Sequence, residues 1–388
     1  MNDEKRRNTY LSRQLGQLSK LPRALMEGFK LQPVLVPLYA ILLSFIVGGI
    51  LIALVGANPF KAYYWLVQGM VGGWDRVAAS IARAVPFIGS ALALAFAFRA
   101  GLFNIGAEGQ LLVGGLVAAW AGTWSWMLGV PGVFAIPIVL TAGALGGALW
   151  GFIPGLLRAT TGAHEVISTI MLNWIGLFMV RWLVNSRDPV ILRDVTASVP
   201  RTETIGENAI LPGIYDSQPT LHWGVFVMIL LCFLIAFVLK RTTFGFETIT
   251  VGINPHAAHY AGMSVKKIII LSMTLSGAFA GLAAAGEVSG TNQFYNPGHF
   301  TAMGFDGIAI ALLARGNPIG IIPAALLWGA LLIGAPLMQQ QAGVSIDIVK
   351  IIQSMVLLFV AADAIVRYLF RVKVEGPGAF TVTEEVSL

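Results

Sequence analysis

Charged residues and cysteine are scarce in this sequence. Only 11% of its 388 residues are Asp, Glu, Lys or Arg, whereas soluble domains carry roughly 25%. Because 56% of the residues are hydrophobic, an ordinary soluble protein is excluded and a polytopic membrane protein is indicated. Cys232 is the single cysteine and lies inside an apolar run. It cannot form an intrachain disulfide, and we interpret it as a packing residue.

Motifs for catalysis and metal binding are also missing. No lysine follows a glycine, which excludes a Walker A loop and an ATPase site of that type within this chain. His164 and Glu165 begin as an H-E-x-x-H motif would, but Ser168 stands where the second histidine is needed. His256 and His259 lack the further ligands that structural zinc requires. The sequence therefore predicts neither an enzyme nor a metal site.

Apolar runs of about 20 residues fill most of the chain, the length that a hydrocarbon core of about 30 Å requires. The predicted fold is an all-α integral membrane protein with about ten transmembrane helices. The predicted spans are residues 34–56, 77–98, 107–128, 132–157, 164–185, 222–239, 268–286, 304–314, 319–338 and 346–368. The short run at 304–314 requires a broken or re-entrant helix that protein or water covers.

Polar segments predict the organisation around these spans. Residues 1–33 form a basic tail, residues 34–368 the transmembrane domain and residues 369–388 a second tail. Most of the 25 lysines and arginines lie on one set of span ends, so both termini are predicted to be cytoplasmic. This scattered distribution gives no nucleic-acid signal. Residues 187–221 are predicted to form an outer loop, and residues 242–267 the longest internal cytoplasmic segment.

Small residues recur every four positions in the fourth predicted span, at Gly143, Gly147, Gly151 and Gly155. This spacing puts a flat stripe on one helix face and predicts a close helix–helix contact. The seam concerns packing and carries no information about a solute.

A polar stretch, FNIGAEGQ at residues 103–110, lies between two apolar runs. Polar and ionisable groups at such a position are typical of a bundle interior or an aqueous path. Asn104 is predicted to cap a restarting helix, and Glu108 then falls in the first turn, where the helix dipole favours negative charge. The alternative interpretation is a polar cytoplasmic turn between two ordinary spans.

A second polar stretch, residues 292–306, takes a matching position in the second half. Interrupted helices at matching positions indicate a binding path in transporters with internal repeats. Five spans in each half would form two inverted repeats with broken helices. Each polar candidate has packing or capping as its alternative role. The candidate substrate-path residues are Asn104, Glu108, Gln110, Asn173, Asn292 and Asp306.

The long cytoplasmic segment contains the pattern of a short helix. Asn254 suits the capping position and Pro255 the first turn. Ala257 and Ala258 keep the helix small-sided, and Gly262 ends it. Such a helix is either an ordinary surface helix or a knob that docks into a groove on a soluble partner.

Four stretches in this order are together more specific: RAGLFNIGAEGQ (99–110), EVISTIMLN (165–173), VGINPHAAHYAG (251–262) and FDGIAIALLARGNP (305–318). With them the chain resembles the permease subunits of bacterial ABC importers, in the branch of ribose-type and branched-chain amino-acid permeases. It is most similar to nucleoside permeases that work with lipoprotein binding proteins. The resemblance covers roughly residues 77–367.

The resemblance implies partners in the bacterial inner membrane. The chain would be one half of a transmembrane pair, often a heterodimer with a second permease. A separate ATP-binding subunit would use the ATP, so no cofactor is expected in this chain. By the same resemblance residues 254–262 form the coupling helix, matching at Asn254, Pro255, Ala257, Ala258 and Gly262. A substrate-binding lipoprotein or periplasmic protein would deliver solute over residues 187–221.

The predicted function is therefore the translocation path of an ATP-driven importer for a small polar solute, with nucleosides favoured. One alternative is a permease of this kind for a sugar or another small solute. The other is a secondary transporter in which Glu108 and Asp306 use an ion gradient.

Overall fold

The computed structural model describes residues 32–362, so nearly all of the two predicted tails and the end of the last predicted span lie outside the described residues. The described chain is mostly helical. Its α-helices are α1 (Gln32–Leu54), α2 (Pro59–Val71), α3 (Trp74–Arg99), α4 (Ala107–Gly122), α5 (Gly132–Thr161), α6 (Glu165–Asn185), α7 (Gly224–Arg241), α8 (Thr243–Ile253), α9 (Pro255–Tyr260), α10 (Val265–Glu287), α11 (Pro297–Phe300), α12 (Met303–Leu313), α13 (Pro318–Ala342) and α14 (Asp347–Ala361).

Residue contacts group the chain into two units. In one, which among the described residues comprises the start of α1 and the end of α14, Val36 and Ala40 pack against Phe359 and Val360. The other unit is Ser44–Leu358, and it holds both polar stretches, the loop of residues 187–221 and the segment of residues 242–267.

Within the described residues, seven helices are long and apolar enough to cross a membrane: α1, α3, α5, α6, α7, α10 with its continuation to Asn292, and α13. The other three of the ten predicted spans correspond to α4, α12 and α14, which are 16, 11 and 15 residues long. The fold is thus the all-α membrane architecture that the apolar runs predict.

The third predicted span, residues 107–128, is not one continuous helix. Its α-helix α4 ends at Gly122, and a separate 3₁₀ turn, Ser125–Gly129, follows. The Gly122 carbonyl accepts the Gly206 N–H at 2.9 Å, and a Cβ on Gly122 would lie 2.7 Å from Ile205. The 187–221 loop therefore packs over the end of α4, an arrangement that hydropathy does not record.

Glycines make a close helix–helix contact between α5 and α10. A Cβ added to Gly277 or Gly281 of α10 would collide with the carbonyl oxygens of Gly147 and Gly143 of α5. The predicted seam on the fourth span is therefore confirmed. Close backbone approach of this kind lets two helices pack without bulky side chains between them.

The segment between α6 and α7 is irregular, with a 3₁₀ turn, Glu207–Ala209, and a short antiparallel hairpin of β1 (Gly213–Tyr215) and β2 (Leu221–His222). Its backbone bonds along the segment that follows α10. The N–H groups of Thr202, Ile205 and Leu211 donate to the carbonyls of Tyr295, Gln293 and Ser289 at 2.9–3.0 Å. The loop is therefore attached to the second polar stretch.

Candidate functional site

The first break in the bundle is the segment of residues 100–106 between α3 and α4. Asn104 is fully buried there. Its amide nitrogen donates to Ser276 Oγ at 2.7 Å and to Gln110 Oε1 at 3.0 Å, while its Oδ1 accepts the Gly106 N–H at 2.9 Å. Asn104 and Gln110 thus satisfy each other inside the bundle.

Gly106, and not Asn104, occupies the cap position of α4. Asn104 lies two residues earlier, and its side chain closes a local turn onto the Gly106 N–H before α4 begins. A short polar side chain that bonds its own backbone two residues on forms this turn in preference to a helix cap. The capping prediction for Asn104 is therefore wrong by two residues.

Asn173 on α6 hydrogen-bonds to backbone groups at the first break and at the start of α4. Its Oδ1 accepts the Gly109 N–H at 2.8 Å, and its amide nitrogen donates to the Ile105 carbonyl at 2.9 Å. Both ends of a buried amide are therefore used by backbone groups, one in the break and one in the first turn of α4, which fixes α4 against α6.

Glu108 lies in the first turn of α4, as predicted, and only 4% of it is exposed. Its carboxylate reaches the second half of the chain, where Oε1 accepts the Ala302 N–H at 2.6 Å and Oε2 the Gly304 N–H at 2.8 Å. These donors lie at the start of α12, which begins at Met303. One carboxylate thus lies at the N-termini of two helices, where both dipoles favour negative charge.

The second break runs from the π turn Val288–Asn292, after α10, to the start of α12. It differs in its polar atoms from the first break. Ser289 Oγ, Asn292 Nδ2 and Tyr295 OH are buried and have no hydrogen-bond partner within the described chain. Buried polar atoms of this kind are rare in proteins, and a bound water or ligand commonly satisfies them.

Two ionisable residues that the sequence analysis did not single out pair across the second break. Glu287 is 2% exposed, and its Oε1 accepts a hydrogen bond from His299 Nε2 at 2.8 Å. Arg83 on α3 lies within electrostatic range of Glu287. The available signal was an acid at the end of an apolar, Gly- and Ala-rich run, which the sequence analysis read as the end of a span.

The six predicted path residues do not form one cluster in the described contacts. Asn104 and Gln110 hydrogen-bond to each other, and Asn173 contacts the same break. Glu108 joins that break to the second one. Asn292 and Asp306 are half-buried at the two sides of the second break, at the end of the π turn and in the first turn of α12.

The predicted cytoplasmic helix is α9. The Asn254 Oδ1 accepts the Ala257 N–H at 3.0 Å, so the asparagine caps the helix and Pro255 occupies the first turn. Ala258 is fully buried, whereas Tyr260 is 90% exposed. Gly262 has a φ of +83°, the left-handed region that glycine adopts readily and that ends helices.

The residue Gly252, one helical turn before α9, packs directly onto the first break. A Cβ on Gly101 would lie 2.8 Å from the Gly252 carbonyl oxygen, and a Cβ on Gly252 would collide with the Arg99 carbonyl. The Arg99 guanidinium in turn donates to the Gly316 carbonyl at 3.0 and 3.2 Å, just beyond α12. The segment of α8 and α9 therefore contacts the first break through backbone atoms.

Comparisons with known proteins give one consistent result. Residues 76–361 match the family described as the permease component of the branched-chain amino acid transport system. The chain is 42% identical over 344 residues to the guanosine ABC transporter permease protein NupP of Bacillus subtilis, covering 87% of this chain and 96% of that protein. It is 38% identical to the nucleoside ABC transporter permease protein NupB of Lactococcus lactis, covering 87% and 93%.

A more distant relative is named for a different solute. The glucose ABC transporter permease protein TsgB13 of Haloferax volcanii is 31% identical over 333 residues, which cover 83% of this chain and 86% of that protein. No solved structure matches the chain.

Proposed function

The chain belongs to the permease family of branched-chain amino acid transport systems, and from this membership we propose that it is the membrane subunit of an ATP-driven importer of nucleosides. The support for the solute is the pair of relatives named for guanosine and for nucleosides, which match over most of both chains. The transported solute would be neutral and rich in hydroxyl and amide-like groups. Neutral polar side chains suit such a solute better than a fixed countercharge.

A continuous series of contacts carries the mechanistic part of the proposal. The exposed helix α9 leads to Gly252, which packs on the first break. From that break Glu108 reaches the start of α12 and the second break. A displacement of α9 by an ATP-binding subunit would therefore move both breaks. The resulting mechanism is alternating access, in which the path closes to one side of the membrane and opens to the other.

The proposal includes partners that the resemblance to ABC importers implies. An ATP-binding subunit would dock on α9, with both termini of this chain on that cytoplasmic side of the inner membrane. A second permease, as a heterodimer, would complete the path. A substrate-binding lipoprotein would deliver solute over residues 187–221. In this division of labour the present chain uses no cofactor and catalyses no reaction.

The six candidate path residues take different roles in this proposal. Asn292 and Asp306, half-buried at the second break, would contact the solute. Asn104, Gln110 and Asn173 already use their polar atoms within the protein and would shape the path. Glu108 would hold the start of α4 against the start of α12 and so connect the two breaks.

Reconstitution tests the function directly. The permease, its ATP-binding subunit, its partner permease and the binding lipoprotein are placed in proteoliposomes, and uptake of labelled guanosine is measured. We expect uptake to require ATP on the side of the membrane that carries the ATP-binding subunit. This uptake should survive ionophores that collapse proton and sodium gradients. Uphill uptake without the ATP-binding subunit, or its loss with ionophore alone, would instead support the secondary transporter.

Competition for uptake by unlabelled compounds tests the identity of the transported solute. Unlabelled adenosine or uridine should reduce guanosine uptake, whereas glucose should not. Because one relative is named for glucose, efficient competition by glucose would favour the sugar permease over the nucleoside permease.

The variant Gly262→Leu tests the coupling segment. No atom lies within 4 Å of a Cβ added at Gly262 or at Gly343, and both glycines have positive φ, +83° and +69°. Each replacement should therefore cost a similar backbone strain, on the order of 1 kcal/mol. We expect Gly262→Leu to reduce ATP-driven uptake at least about tenfold, an effect of 1.4 kcal/mol or more, and Gly343→Leu to leave it nearly unchanged. Equal uptake by the two variants would contradict the coupling role.

A further inference from the structure

A cavity of about 250 Å³ lies between the far end of α4 and the 187–221 loop. It is lined by aromatic rings, by hydroxyl and charged groups and by aliphatic side chains. The polar and aromatic residues that line it are Trp120, Thr123, Trp124, Arg193, Thr202 and Glu203. None of these residues belongs to either break or to the coupling segment.

The two indoles form a right-angled corner. The ring centroids of Trp120 and Trp124 are 5.1 Å apart with an interplanar angle of 88°, and the residues are 47% and 37% exposed. Tryptophans near the end of a membrane helix commonly anchor the interface with the lipid headgroups. These two differ from such anchors because their exposed surface lines a cavity that also contains a guanidinium, a carboxylate and two hydroxyls.

This combination suits one chemical class of ligand. Aromatic side chains stack on nucleobases of any identity, and carboxylate or hydroxyl groups bond the hydroxyls of a sugar. Arg193 is half-buried and donates to the Asn185 carbonyl at 3.3 Å, which leaves other guanidinium N–H groups to point elsewhere. Ligand pockets for drug-sized molecules run from roughly 300 Å³ upward, so a cavity slightly below that size fits a single nucleoside.

The wall of the cavity is bonded to the second break. Thr202, 2% exposed, donates its N–H to the Tyr295 carbonyl at 3.0 Å, and its Oγ1 accepts the Tyr295 N–H at 2.9 Å. Tyr295 in turn stacks on Phe300 with ring centroids 5.2 Å apart and an interplanar angle of 14°. A ligand that contacts Thr202 is therefore separated from the second break by one residue.

We propose that this cavity is a receiving site for a nucleoside on the outer face of the permease, with the base against Trp120 and Trp124 and the ribose against the Glu203 carboxylate and the Arg193 guanidinium. The solute would occupy it after release by the delivery protein and before entry at the second break. The choice of nucleoside as ligand rests on the proposed function. The site itself rests on the cavity and its lining residues.

The test measures binding without the delivery protein. The permease pair with its ATP-binding subunit is placed in nanodiscs, and binding of labelled guanosine is measured by equilibrium dialysis. We expect wild-type binding to weaken at least about tenfold in Trp120→Ala and Trp124→Ala, as loss of base stacking predicts. Trp120→Phe and Trp124→Phe keep an aromatic face and should retain most of the binding.

Trp126 offers a matched control. It is 50% exposed and lies 5.7 Å from Trp124 by ring centroid, but it does not line the cavity. Trp126→Ala should bind guanosine within about twofold of wild type, a difference smaller than one stacking contact provides. Thermal unfolding of each variant identifies those that lose structure, and the phenylalanine variants then decide the result.

Three outcomes would overturn the inference: unchanged binding in the Trp120 and Trp124 alanine variants, an equal loss in Trp126→Ala, or no guanosine binding by wild type. The same protein preparations are also reconstituted into proteoliposomes and assayed for ATP-driven guanosine uptake with the lipoprotein present. Intact uptake together with any of these outcomes removes only the receiving site. Wild-type proteoliposomes that take up no nucleoside contradict the proposed function instead.

Discussion

The two breaks in the helical bundle differ in how completely their polar groups are used. At the first break Asn104, Gln110 and Asn173 hydrogen-bond to one another or to backbone groups. At the second break, Ser289 and Tyr295 keep buried polar atoms without a partner in the described residues. The three amides of the first break therefore have partners, although the neighbouring Trp150 Nε1 has none in the described residues. The second break lacks partners along its own segment, which a water, a solute or another conformation can supply.

This difference assigns different mechanical roles to two segments that the sequence analysis treats as matching. A network of paired polar atoms resists rearrangement, because opening it leaves buried polar groups without partners and therefore raises the free energy. A segment with unpaired polar groups loses fewer hydrogen bonds when it moves. We infer that the first break is the fixed reference in the transport cycle and that the second is the responsive part.

The largest expected effect comes from forcing the two breaks apart. A Cβ on Gly304 would collide with the Glu108 backbone nitrogen, whereas no atom lies within 4 Å of a Cβ on Gly286 of α10. Gly304→Ala should therefore abolish guanosine uptake and destabilise the bundle by about 1–3 kcal/mol, the usual cost of overpacking. Gly286→Ala, measured alongside by thermal unfolding in detergent, should be nearly neutral. Equal melting temperatures for both variants would show that the breaks are not in tight contact.

The next effect comes from removing the charge that joins the two breaks. Glu108→Gln replaces one of the two acceptor oxygens at Ala302 and Gly304 by an amide donor. Because hydrogen bonds to charged groups contribute about 1.5–3 kcal/mol, we expect a loss of stability in that range and reduced uptake. The control is Glu207→Gln in the exposed 3₁₀ turn of the loop. If Glu108→Gln unfolds at the same temperature as wild type, the carboxylate does not hold α12.

A paired comparison tests the contrast between satisfied and unsatisfied groups. Asn104→Ala removes the partners of Gln110 and Ser276 and should cost about 1–3 kcal/mol, the price of leaving buried groups unpaired. Tyr295→Phe removes a hydroxyl that has no partner among the described residues and should leave stability unchanged or slightly higher, while lowering uptake. A Tyr295→Phe variant as unstable as Asn104→Ala would remove the distinction between the breaks.

The smallest expected effect concerns the loop that is attached to the second break. Hydrogen bonds from Thr196, together with the nearby Arg201 guanidinium, lower the pKa of Asp194 below its ordinary value. A carboxyl with a lowered folded-state pKa stabilises the fold above its unfolded pKa, and this contribution disappears as the pH falls through the folded value. Protease cleavage of the loop should therefore be constant from pH 8 to about 5 and rise below about pH 4.

Asp194→Asn removes this pH dependence and provides its check. The variant should be cleaved more readily at pH 7 and show little further change on acidification, whereas the exposed Asp216→Asn should behave as wild type. A loop whose cleavage rises between pH 7 and 5 would implicate a different titrating group.

Local features of the site could be read from the sequence. Glu108 in a first turn, Asn254 as a cap and the seam at Gly143 and Gly147 all depend on residues close together in the chain. Sequence spacing carries such information because a helix places neighbours at fixed offsets.

Long-range partners could not be read in this way. Glu108 contacts Ala302 across 194 positions, and no periodicity relates residues so far apart. The Glu287–His299 pair was missed because an acid at the end of an apolar run also fits a span that ends in water. The cap position of α4 was missed because Asn104 closes a local turn onto the Gly106 N–H, while its amide nitrogen bonds the distant Ser276.

Helix α12 has 11 residues, so it extends only about 16 Å, roughly half of a hydrocarbon core of about 30 Å. Irregular backbone precedes its start, where Thr301 and Ala302 are exposed, and lipid tails cannot satisfy exposed backbone at membrane depth. If a second permease covers this segment, as proposed above, a newly made subunit that lacks this partner should be held by quality-control factors or degraded. The cell's supply of the partner chain would then limit the amount of this one.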